Sequence, residues 1–203
     1  MGLYCDSTCK TYKDLRDSII KNKADIDSDL SGFRSQNAKI KKGPPAFVET
    51  KSHGFIWYTL IDKFVFRGEG NDGQMLARFQ DGFERSGGDP DFDGGHTRGI
   101  VSTSYDLTVA ADCTHGKGNV YVIYAGYGFD LDGCNWFQEV CLWDVPAVHV
   151  YAAVTGFRVV KVMASKMIKG PVKVHFSTNK EETESQIGLE RCKEAMLEIA
   201  KYK

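Results

Sequence analysis

His96-Thr97-Arg98-Gly99-Ile100-Val101-Ser102-Thr103-Ser104 is the stretch on which the fold turns. A glycine, two β-branched aliphatic residues and three consecutive hydroxyl residues describe a short strand that ends abruptly. The next residues, 105–113, carry the spacing of a short helix, and Ser104 is expected to cap it. A strand that runs straight into a helix places the hydroxyls of Ser102, Thr103 and Ser104 at the junction.

Outward from this junction, between Ala46 and Phe176, short β-branched and aromatic runs alternate with glycine-rich breaks. The candidate strands are 55–60, 63–67, 99–103, 119–124, 139–143, 147–151, 156–163 and 171–176. The stretch 68–98 holds eight glycines and reads as one long irregular loop, a feature that is usually functional inside a compact domain. Residues 180–202 read as a C-terminal helix capped near Thr178 or Asn179, with an acidic first turn and lysines in the last. Near the N-terminus, Leu15, Ile19, Ile26, Leu30 and Phe33 fall on one helical face, and Gly43-Pro44-Pro45 ends any helix. The expected organisation is a helical segment over 1–45 and an α+β domain over 46–203, helices at both ends and strands between.

Composition narrows the function. Formal net charge is −1 over 203 residues, so no basic field draws nucleic acid to the surface. No apolar run is long enough to span a bilayer, and the N-terminus shows no secretory signal. Met1-Gly2 begins like a myristoylation site, but Asp6 stands where serine or threonine is needed. The six cysteines form no C-x-x-C and no histidine lies at a metal-ligand spacing from them, so ordinary thiols are expected and a metal site is not. Arg67-Gly68-Glu69-Gly70 lacks the remaining spacing of a Rossmann dinucleotide fingerprint.

Two further segments carry chemistry alongside the hydroxyl junction. In Phe64-Val65-Phe66-Arg67-Gly68-Glu69 an arginine closes an apolar strand; its planar, permanently charged fork can hold a phosphate or fix backbone carbonyls. In Trp136-Phe137-Gln138-Glu139-Val140 a carboxylate opens a strand below an aromatic loop. Taken singly each has a plain reading: a strand-end ion pair, a capping serine, a solvated edge carboxylate.

Together, and in this order, the segments resemble the arginine–serine–glutamate ADP-ribosyltransferases, the group of cholera toxin and heat-labile enterotoxin. The matching residues are Phe66-Arg67-Gly68-Glu69, then Gly99-Ile100-Val101-Ser102-Thr103-Ser104 with His96 upstream, then Glu139-Val140, Val145-Pro146 and Arg158-Val159. The resemblance covers residues 63–163, and the Ser-Thr-Ser segment is its most specific part. It implies an ADP-ribosyltransferase-like core of two packed, mostly antiparallel sheets around an NAD cleft.

The resemblance also implies roles. Glu139 would stabilise the oxocarbenium-like ribose formed as the nicotinamide bond breaks, Ser102 would orient Glu139, and Arg67 would organise the cleft and engage the pyrophosphate or nearby backbone. Gly68, His96, Ser102 and Thr103 would join Arg67 in contacting NAD, and the 68–98 loop would fold over it. Trp136, Phe137 and Gln138 would meet the acceptor. Phe137 occupies the position where the family often carries a second Glu or Gln, which leaves the acceptor residue open; the adjacent Gln138 is expected to point to the opposite face of the strand. The implied partner is a target protein of a host or competitor cell, reached by a secreted or injected toxin or effector acting in its cytosol. The alternatives are an NAD glycohydrolase, a transferase acting on a nucleoside or nucleic acid, and a catalytically inactive binding module.

Overall fold

The computed structural model describes residues 43–70, 74–93, 98–132, 138–162 and 165–202. The chain divides into two compact units, Met1–Ala46 and Phe47–Lys203, and the strands and helices of the described residues lie in the second. The helical stripe expected over 10–40 falls outside the described residues, as do His96, Trp136 and Phe137.

The strands are β1 (Phe47–Thr50), β2 (Gly54–Glu69), β3 (Val101–Ser104), β4 (Asn119–Asp130), β5 (Glu139–Leu142), β6 (Val150–Thr155), β7 (Arg158–Val162), β8 (Ser165–Lys169) and β9 (Lys173–Phe176). The helices are α1 (Met75–Asp81), α2 (Leu107–Asp112), α3 (Lys180–Ile187) and α4 (Leu189–Ala200). Seven strands join in the order β1-β2-β3-β5-β4-β6-β9 and β7 pairs with β8, every pairing antiparallel. The class is α+β.

The seven-stranded sheet curls back on itself, because β2 also pairs with β4 from Tyr58↔Phe129 to Glu69↔Asn119. One end of β4 is flanked by β6, at Val120 to Ile123, and the other by β5, at Phe129 and Asp130. The two halves of the sheet therefore share β2 and β4.

Side-chain alternation explains the central strands. Phe66, Val120 and Val122 enter one core with Leu107, Ala110 and Ala111 of α2 and Cys192, Ala195 and Ile199 of α4. Val65, Tyr121 and Ile123 enter another with Phe79 and Phe83. Both faces of these strands are covered, so the sequence reads as an unbroken apolar run there. A third cluster, holding Ile56, Phe129, Cys141 and Trp143, lies on the β5 side.

Several expected boundaries move. Runs 55–60 and 63–67 are one strand, β2, whose register shifts between Leu60 and Lys63 around Asp62, a residue at φ 53°. The Asp62 carboxylate takes the Tyr124 hydroxyl and the Arg191 guanidinium, fastening this bulge to α4. The 68–98 stretch contains α1, so it is not one irregular loop. The run 147–151 begins as a 3-10 turn, Ala147–His149, before β6. Strands β1 and β8 were not expected. The C-terminal helix is two helices, because Gly188 sits at φ 106° between α3 and α4. Asn179 precedes α3 but its side-chain amide donates to the Phe79 carbonyl at 3.1 Å and does not cap. Ser104 does not cap α2 either: Asp106 does, accepting the Thr108 N–H at 2.7 Å, while Ser104 Oγ accepts the Asp106 N–H at 3.0 Å.

Candidate active site

Arg67 lies two residues before the end of β2, opposite Tyr121 of β4. Its Nη1 donates to the Ser102 carbonyl at 2.7 Å, its Nε lies 3.7 Å from Glu69 Oε1, and its guanidinium rests over the Phe83 ring. Although 27% of the side chain is exposed, Nε is buried. Burial pulls the guanidinium pKa down, Glu69 pulls it back up, and the group stays charged across the physiological range. Arg67 thus ties the end of β2 to the backbone of β3.

The antiparallel register of β3 on β5 places Ser102 opposite Cys141 and Ser104 opposite Glu139. Ser102 and Glu139 are therefore diagonal neighbours on one face of the sheet. Ser102 Oγ donates to Glu139 Oε1, and Glu139 is only 8% exposed. A buried carboxylate at the start of β5 is a different environment from the solvated strand edge that Glu139 suggests alone.

Cys141, two residues on, faces the same side of β5 as Glu139. Burial first, then the nearby Glu139 carboxylate, push the thiol well above its ordinary pKa. The thiol stays protonated beside Glu139.

Thr103 points the other way, its hydroxyl donating to the Val140 carbonyl at 2.6 Å in a buried position. At Gly68 a Cβ would meet the Ala110 carbonyl oxygen at 1.9 Å, so glycine is what lets α2 approach β2 this closely. Gln138 does not belong to a strand, so strand alternation does not set its direction: it is exposed, sits at φ 48°, and its carbonyl accepts the Tyr105 N–H at 3.0 Å.

A cleft of about 430 Å³ opens beside these residues, lined by Arg67, Arg78, Arg85, Glu69, Phe83 and Ser102 among others. Glu139 is bonded to the lining residue Ser102, and neither Gly68 nor Thr103 belongs to the lining. A larger cavity of about 550 Å³ touches Phe64, Phe66, Tyr105 and Arg191 on the other face of β2 and holds none of Arg67, Ser102 or Glu139. The three expected catalytic residues thus form one contact chain, Arg67 to Ser102 to Glu139. Arg78 and Arg85 were missed because they fall in the stretch read as loop. Among the described residues no group of three or more His, Cys, Asp or Glu side chains is placed to hold a metal, and no helix is long and apolar enough to cross a membrane. Cys141 and Cys192 are free thiols.

No protein-family model matches the sequence, and no curated protein matches it. Solved structures similar to the chain include a "Guanine-specific ADP-ribosyltransferase" at 16% identity, covering 61% of this chain and 81% of that one, with TM-score 0.43. Another is a "Guanine-specific ADP-ribosyltransferase with NADH and GDP" at 19% identity, 50% and 70% coverage and TM-score 0.38. A variant of the Scabin toxin from Streptomyces scabies matches at 16% identity, 64% and 82% coverage and TM-score 0.45.

Proposed function

We propose that the protein is an ADP-ribosyltransferase that cleaves NAD at the nicotinamide–ribose bond and passes ADP-ribose to an acceptor. The observation that carries this reading is the contact chain that ties Arg67 to Ser102 and Ser102 to the buried Glu139 carboxylate. In the reaction the ribose–nitrogen bond breaks and its electron pair leaves with neutral nicotinamide. The ribose is left electron-poor, and Glu139 stabilises that charge. Ser102 holds the carboxylate in place, and Arg67 fixes the strand that carries Ser102. The acceptor's nucleophile then bonds to the ribose carbon and releases a proton. The cleft's arginines suit the pyrophosphate of NAD.

A protein is the preferred acceptor, because net charge −1 provides no field for nucleic acid. The acceptor would be contacted by Gln138 and its sequence neighbours Trp136 and Phe137. Incubation with labelled NAD tests the reading in three arms: protein lysate, a guanine nucleotide, and buffer alone. The guanine arm follows the names of two of the similar structures, both guanine-specific. Label on lysate protein supports the reading in full. Label on guanine moves the acceptor, and nicotinamide release in buffer with no labelled acceptor makes the protein an NAD glycohydrolase. The absence of both turnover and NAD binding would leave only the inactive binding module.

A further inference from the structure

The cleft beside Ser102 is lined by three guanidinium groups, and they are not equivalent. Arg67 is committed to the Ser102 carbonyl, with Glu69 nearby. Arg78 is committed to Glu69, which it meets with Nε at 3.0 Å and Nη2 at 3.1 Å, and to Gln74. A single carboxylate therefore serves both groups.

Arg85 is held differently. Its Nη1 donates to the Gly88 carbonyl at 2.7 Å and the Gly99 carbonyl at 3.3 Å, and its guanidinium lies 3.9 Å from the Trp143 ring centroid. Its backbone N–H is fixed by the Asp144 carboxylate at 3.1 Å. Among the described residues the guanidinium has no carboxylate within ion-pair distance, and its hydrogen bonds all leave from Nη1. The Nε–Nη2 edge, the one that forks onto two oxygens of a phosphate, stays open on a plane already held by an aromatic ring and two carbonyls. Little ordering remains to be done when an anion arrives, which favours binding.

We propose that Arg85 is the residue that binds the pyrophosphate of NAD, and that Arg67 is a positioning residue that holds β3. The assignment rests on the NAD reading above and refines it, since the sequence leaves Arg67 to engage either the pyrophosphate or nearby backbone, and its Nη1 donates to the Ser102 carbonyl. It also gives the 68–98 stretch a ligand-binding role through one rigidly mounted side chain.

The test uses ADP, which carries the pyrophosphate without nicotinamide, and adenosine, which carries neither, titrated by calorimetry into the full chain. Nicotinamide release from NAD is followed in parallel. Arg85→Gln is expected to weaken ADP binding by about 10-fold or more while adenosine binding stays unchanged. Arg85→Lys, which keeps the charge but loses the fork, should fall between it and the wild type. Arg67→Gln should lower the turnover of NAD more than the affinity for ADP. Wild-type ADP affinity in Arg85→Gln together with its loss in Arg67→Gln would overturn the assignment. So would a joint loss of ADP and adenosine binding in both Arg85 variants, which would make Arg85 a packing residue. A wild type that neither binds ADP nor releases nicotinamide would instead refute the NAD reading underneath, and is told apart by that result.

Discussion

Ser102 lines the cleft, and its hydroxyl donates to the Glu139 carboxylate. A hydrogen bond to a charged group contributes about 1.5–3 kcal/mol, so Ser102→Ala is predicted to lower kcat for nicotinamide release by about 10- to 100-fold. KM for NAD should move little, because the bond acts on geometry at the reacting carbon and not on ground-state binding. Steady-state kinetics separate the two; an unchanged kcat with a raised KM would make Ser102 a simple ligand contact. Arg67, Ser102 and Glu139 are legible in the sequence because each sits in a recognisable local pattern at a strand end. Arg85 is not: it acquires its place from a turn packed on Trp143 that has no sequence signature.

Among the elements, the contact of β2 with α2 is the tightest constraint on the site. Gly68 follows Arg67 directly, and an added Cβ would fall 1.9 Å from the Ala110 oxygen and 2.9 Å from its carbon, both backbone atoms that cannot rotate away. Gly68→Ala is therefore predicted to destabilise the fold by about 1–3 kcal/mol, read as a lowered Tm. An unchanged Tm would show that α2 is free to shift. His149, in the turn before β6, packs its ring edge-on against Tyr124, and burial pulls its pKa below 6.5. The neutral ring then contributes stability that is fully present above pH 6.5 and is lost as pH falls through the folded-state value. A His149→Gln variant should show a flatter loss of stability below pH 6.5 than the wild type in denaturant titrations at stepped pH. At this scale the sequence is a fair guide to strand cores and a poor one to ends. The apolar run of β2 is plain, but its continuity through Asp62 depends on Tyr124 and Arg191, which are remote in sequence. Gly188 looks like any other glycine until φ 106° breaks the last helix.

At the scale of the whole described unit, one curled sheet serves every function assigned above. Strands β2 and β4 place alternate side chains into cores on opposite faces, so Arg67 projects toward the cleft while its neighbour Phe66 packs against α2 and α4. Strands β3 and β5 bring Ser102 and Glu139 together at the same end of the sheet that Arg67 closes. The α+β class follows from the run of strands between terminal helices, whereas the sharing of β2 and β4 between sheet halves depends on long-range pairings that no local pattern encodes. The measurement that bears most directly on the account is nicotinamide release from NAD by the wild type beside Glu139→Ala, with NAD binding measured for both. The account predicts turnover by the wild type, a loss of at least about 100-fold in the variant, and NAD affinity that changes far less. Full activity in Glu139→Ala would contradict it.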